Sequence, residues 1–231
     1  MSSKKIIVAL DGSNLIKIKK IVNDLKAEVH SFKIGYEFFF NHGISGYNQI
    51  KKISPKIFLD LKLHDIPNTV QKGILAIEKL KPFLTTIHIS GGSEMIKASL
   101  INKKKTKILG VSILTSLNSQ QTKKFYNEKN IEILIKKFSI EVKKQKLDGI
   151  VCSPKEIKIV REVLGKEFLI VTPGIRYQKL KAVGDDQKRT LTPSKAISMG
   201  ADLLVIGRPI TLSKNPLKTL KDINISLIWW L

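Results

Sequence analysis

Lys56-Ile57-Phe58-Leu59-Asp60-Leu61-Lys62-Leu63-His64-Asp65-Ile66-Pro67-Asn68-Thr69 holds a strand, its end and the start of a helix. The apolar run Lys56–Leu61 has strand length, and Pro67 is a residue that helices accept at their first position. Side chains alternate along a strand, so Ile57, Leu59 and Leu61 share one face while Phe58, Asp60 and Lys62 share the other. Two opposite charges therefore meet on one face as the strand ends. A buried charge is costly unless paired, so this placement asks for a reason beyond packing.

Working outward, the same strand-then-helix unit recurs along the chain. Strands are expected at Lys5–Leu10, Ser31–Ile34, Thr85–Ile89, Lys107–Ile113, Gly149–Val151, Phe168–Val171 and Leu203–Ile206, each followed by a helix-forming segment. Helix starts are marked by Asn14, by Pro67, by Ser153-Pro154 and by Thr192-Pro193. Eight βα units in 231 residues predict an α/β fold, a TIM (β/α)8 barrel forming one catalytic domain over residues 1–231.

In such a barrel the inward side chains at the C-terminal ends of the strands face the site. Parity puts Asp11 beyond Ala9 in the first strand, Lys33 beyond Ser31 in the second, and Asp60 and Lys62 in the third, with Asp65 close behind. These five charges are expected to converge on one rim. His64 lies in the same loop and reads as a hydrogen-bonding support. After the seventh strand comes Thr172-Pro173-Gly174-Ile175-Arg176, and after the eighth Ile206-Gly207-Arg208-Pro209. Loops in those two places commonly build a phosphate site, and arginine grips phosphate as a planar fork. Thr115 reads as a hydrogen-bond donor, and Ser90-Gly91-Gly92 as a turn within reach of a ligand. The irregular stretch Thr172–Arg189 is long for a βα loop and reads as a lid.

Composition narrows the partners. The net charge is +22, yet only four of 41 basic residues are arginines, and the lysine runs Lys103-Lys104-Lys105, Lys136-Lys137 and Lys143-Lys144 are scattered without interleaved aromatics. A solvated surface is expected, not a nucleic-acid groove. Cys152 is the one cysteine, so an intrachain disulfide is excluded and a buried thiol is expected. No signal peptide is read at the N-terminus, and no apolar run is long enough to span a membrane; Ile228-Trp229-Trp230-Leu231 reads as a docking segment. The expected location is the cytoplasm.

The segment Asp60-x-Lys62-x-x-Asp65 followed by Ile66-Pro67-Asn68-Thr69 resembles the signature of the orotidine 5'-phosphate decarboxylase family. The likeness extends through Val8-Ala9-Leu10-Asp11, Lys33-Ile34-Gly35, Leu114-Thr115-Ser116, Val171 to Arg176, Asp186-Gln187-Lys188-Arg189 and Val205-Ile206-Gly207-Arg208-Pro209, nearly the whole chain in order. It implies conversion of orotidine monophosphate, the substrate, into uridine monophosphate, the product, with no cofactor and no metal. Lys62 matches the residue that protonates C6 of the pyrimidine, and Asp60 the carboxylate beside the departing carboxyl group. Lys33 and Asp65 complete the array, with the residue at Asp65 supplied by the other subunit of a homodimer. Asp11 and Lys33 match ribose contacts, Thr69 and Thr115 further substrate contacts, and Arg176, Gln187, Gly207 and Arg208 positions around the phosphate. Two alternatives stand beside this: a magnesium-dependent decarboxylase or hexulose phosphate synthase of the same suprafamily, and a basic nucleic-acid-binding barrel. Ile66-Pro67-Asn68-Thr69 and Asp186-Gln187 favour the orotidine enzymes over the former.

Overall fold

The computed structural model describes residues 4–177 and 191–228. Eight parallel strands close into a barrel in chain order: β1 (Ile6–Leu10), β2 (Ser31–Ile34), β3 (Ile57–Leu63), β4 (Leu84–His88), β5 (Lys107–Val111), β6 (Gly149–Val151), β7 (Leu169–Thr172) and β8 (Leu203–Ile206). β8 pairs with β1, Ile7 lying opposite Val205, so no strand of the barrel presents an open edge.

Parity sorts the strand side chains into two cores. Ile7, Ala9, Phe58, Leu84, Leu109, Val171, Leu203 and Val205 fill the barrel, while Ile6, Val8, Ile57, Leu59, Ile108, Ile170 and Leu204 pack under the helices. The helices are α1 (Leu15–Leu25), α2 (Tyr36–Ile53, kinked at Gly43), α3 (Pro67–Leu80), α4 (Gly92–Ile101), α5 (Ser119–Tyr126), α6 (Ile131–Gln145), α7 (Ile157–Leu164), α8 (Pro193–Ser198), α9 (Arg208–Thr211) and α10 (Pro216–Ile228). Their starts follow from the local sequence. Asn14 accepts from the Lys17 amide at 2.9 Å, Pro67 opens α3, and Thr192 caps α8 ahead of Pro193. Among the described residues no helix is long and apolar enough to cross a membrane.

Several boundaries differ from expectation. β3 runs on to Leu63, and its pairing with β4 slips: Leu59 lies opposite Thr85, but Leu63 lies opposite Ile87. Two more residues thus occupy β3 than β4 over that interval. β4 ends at His88 because Ile89–Gly91 turn into a short 3₁₀ segment, where Gly91 lets Met95 pack closely: a Cβ there would sit 2.2 Å from the Met95 sulfur. β5 stops at Val111, two residues short of the expected Ile113, and α5 is an additional helix between β5 and α6, capped by Asn118. The expected lid is described only to Tyr177, and Ile175 bridges to Leu191 on its far side. Gln187 and the Trp229-Trp230 pair lie outside the described residues.

Candidate active site

The inward charges of β2 and β3 meet at the C-terminal mouth of the barrel. Asp60 is 6% exposed. Its Oδ2 lies 2.8 Å from Lys62 Nζ and 3.3 Å from Lys33 Nζ, so one oxygen is shared by two ammonium groups. Its other oxygen, Oδ1, accepts the Thr86 hydroxyl at 2.9 Å. Burial opposes ionisation of Asp60, but Lys33, Lys62 and the hydrogen bonds from Lys62 and Thr86 outweigh it and hold the carboxyl below its ordinary range. A carboxylate so held stays charged near neutral pH. It keeps two cations side by side in a space that neither would occupy alone. Gly35, at the start of α2, leaves room for this, since a Cβ there would stand 3.0 Å from Lys33 Nζ.

Lys62 reaches this position from an unusual backbone. Its φ is 42°, in the left-handed region that non-glycine residues avoid, and it falls within the slip between β3 and β4. Its amide donates to Thr86 Oγ1 at 2.9 Å. On the other side the Tyr36 hydroxyl donates to the Leu61 carbonyl at 3.0 Å, and the Tyr36 ring lies 5.7 Å from Lys62 Nζ. Asp60 and Lys62 do share a face, as parity predicts, but the second residue arrives there through an irregular turn of the chain.

A cavity of about 300 Å³ opens above these charges. It is lined by Asp11, Lys33, Asp60 and Lys62 and by Arg176, Gly207 and Arg208, and Thr115, Cys152 and Ser153 also reach it. Arg208 is the first residue of α9, directly after β8, and Arg176 follows β7. Loops seven and eight therefore come together, and they add Arg176 and Arg208 to the cavity that the lysine pair also lines. Cys152 is buried, and burial pushes its thiol up. Among the described residues no group of three His, Cys, Asp or Glu side chains could hold a metal ion.

Asp65 departs from the expected convergence. Asp65 and Thr69 line a second cavity of about 460 Å³ with Tyr36, His64 and His88, and among the described residues only Lys62 borders both cavities. β3 ends at Leu63, so Asp65 lies in the turn before α3, where its Oδ1 accepts its neighbour Ile66's amide at 2.7 Å. Four of the five charges therefore share one cavity, and the fifth faces outward beside it. His64 packs near His88, ring centroids 5.2 Å apart and planes tilted by 38°. Ser90-Gly91-Gly92 turns into α4 and is absent from the lining of the first cavity. Thr86, Tyr36 and His88 were not singled out from sequence, although the inward alternation of Leu84, Thr86 and His88 along β4 carries the signal for two of them.

Residues 4–223 match the model of the orotidine 5'-phosphate decarboxylase / HUMPS family. The chain is 44% identical to the orotidine 5'-phosphate decarboxylase of Wolbachia pipientis subsp. Culex pipiens, over 96% of this chain and 98% of that one. It is 40% identical to the one of Carboxydothermus hydrogenoformans, over 92% and 91%. Its fold is similar to the crystal structure of the enzyme from Lactobacillus acidophilus, with a TM-score of 0.83, 35% identity and coverage of 97% and 99%. It is also similar to the Methanocaldococcus jannaschii enzyme in complex with the inhibitor BMP, with a TM-score of 0.78, 26% identity and coverage of 97% and 99%. With the family model and its relatives matching nearly the full length, the chain belongs to the orotidine 5'-phosphate decarboxylase / HUMPS family.

Proposed function

We propose that the chain converts orotidine monophosphate into uridine monophosphate and carbon dioxide, as one catalytic domain over residues 1–231, in the cytoplasm and without a metal or organic cofactor. The observation that carries this reading is the buried Asp60 carboxylate shared between Lys33 and Lys62, in the same cavity as Arg176 and Arg208. When the bond from C6 to the carboxyl carbon breaks, its electron pair stays on C6 and carbon dioxide leaves. The Lys62 ammonium faces the developing charge and then gives up one N–H proton to form the C6–H bond. An ammonium fixed before the reaction stabilises that charge without reorganisation, which is where electrostatic catalysis has its largest effect. Asp60 pairs with the Lys62 ammonium and orients it, and Asp11 and Lys33 face the ribose. Arg208, Gly207, Arg176 and Gln187 hold the phosphate, with Thr115 as a further contact. Phosphate binding far from C6 contributes energy to organising the charged array.

The same reading makes the protein a homodimer in which Asp65 and Thr69 serve the partner's site. Their placement in a second, outward cavity bordering Lys62 favours this. So does the apolar surface around it: Tyr36 and Phe40 stack 5.6 Å apart and are 48% and 78% exposed, and Ile66, beside Asp65, is 66% exposed. The test is incubation of the purified protein with orotidine monophosphate plus chelator, following the pyrimidine ultraviolet band. Undiminished decarboxylation is expected. Activity that requires added magnesium would point instead to the metal-dependent members of the suprafamily.

A further inference from the structure

The Thr86 hydroxyl makes two bonds that converge on the reacting lysine from different directions. It has one proton, which it donates to Asp60 Oδ1 at 2.9 Å, and a lone pair that accepts the Lys62 amide at 2.9 Å. Asp60 Oδ2 is the atom shared by Lys33 and Lys62, so pinning Oδ1 fixes the plane in which the two ammonium groups are held. The second bond secures the backbone of Lys62 itself. That backbone is in the left-handed region, inside the slip between β3 and β4, a conformation that persists only where its surroundings enforce it. Thr86 is fully buried and its strand is in regular register with β5, so the hydroxyl rests on a rigid base.

We propose that Thr86 is a positioning residue for the decarboxylation: its single hydroxyl sets both the direction of the Lys62 ammonium and the plane of the Asp60 carboxylate. The inference rests on the decarboxylase reading above. The arginines read as holding the phosphate come from the loops after β7 and β8, whereas Thr86 belongs to β4, so loss of the hydroxyl acts mainly on turnover and largely spares affinity.

The experiment compares Thr86→Val, which keeps the shape and removes the hydroxyl, with Thr86→Ser, which keeps the hydroxyl and removes the methyl. Loss of a hydrogen bond to a charged group predicts that kcat of Thr86→Val falls about 10- to 100-fold, with KM within about threefold of the parent. Thr86→Ser is expected to retain kcat within about threefold, even though the missing methyl lowers its melting temperature. A Thr86→Val enzyme with the parent's kcat, or a Thr86→Ser enzyme as slow as Thr86→Val, would overturn the proposal. Thr86→Ala serves the same comparison with Thr86→Ser if Thr86→Val does not fold. A parent protein inactive on orotidine monophosphate would instead sink the decarboxylase reading, a result distinct from an active parent indifferent to Thr86.

Discussion

Asp60→Asn removes the one negative charge that Lys33 and Lys62 share, and its effect can be worked from the geometry. At 2.8 and 3.3 Å each contact has a gross attraction of roughly 5–6 kcal/mol at an effective dielectric near 20. Desolvation of the carboxylate cancels part of this, and the lysine side chains, 27% and 14% exposed, recover some hydration in the variant. Breaking one side of a buried pair typically costs about 3–5 kcal/mol, and that is the expected loss in unfolding free energy. Lys62 also loses its charged anchor, so kcat is expected to fall at least about a hundredfold. Urea denaturation and a decarboxylation assay measure the two effects separately. Adding Lys33→Met to Asp60→Asn removes the repulsion left behind, so the double variant should be more stable than Asp60→Asn alone. An Asp60→Asn protein within about 1 kcal/mol of the parent and turning over normally would refute the reasoning.

Arg208→Ala removes a planar cation from the phosphate side of the cavity and should raise KM by about 100-fold or more, measured by initial rates. Burial holds the His30 and His88 imidazoles to about 4, helped by Lys56 at His30 and by His64 and Lys62 at His88, against 6.5 in the unfolded chain. Between those values the unfolded chain binds the extra protons, so stability should fall as pH drops from about 6.5 to 4, by about 1–2 kcal/mol per imidazole after solvent screening, and a flat urea midpoint over that range would contradict it. Asp60, held below the ordinary carboxylate range, contributes its own loss only at lower pH still. Mixing inactive Lys62→Ala and Asp65→Ala chains should restore about a quarter of parental activity, because a mixed dimer contains one intact site, whereas no recovery would argue against Asp65 crossing the interface.

The barrel was legible because short strand-forming runs and helical segments alternate from end to end, and Asp60 was legible because strand parity exposes an acid where a core residue belongs. Arg208 followed from its place after the eighth strand. What sequence could not show lies in the relation between two strands. The slip that gives Lys62 a positive φ depends on how β3 meets β4, and nothing in Leu61-Lys62-Leu63 announces it. Thr86 was hidden for a related reason: threonine is an ordinary strand residue, and its partners are 26 and 24 positions away. Asp65 was expected at the same rim because it follows closely behind Asp60 and Lys62 at the end of the third strand. The strand ends at Leu63, however, and the turn into α3 carries Asp65 into the neighbouring cavity.

In the proposed reaction the Lys62 ammonium delivers the proton that replaces the carboxyl group. Purified parent and Lys62→Ala proteins, both shown to be folded by their melting transitions, can be given orotidine monophosphate in heavy water while carbon dioxide release and deuterium at C6 are recorded. Rapid release and one deuterium at C6 of uridine monophosphate are expected from the parent, and neither from Lys62→Ala. Release at the parental rate by Lys62→Ala would contradict it.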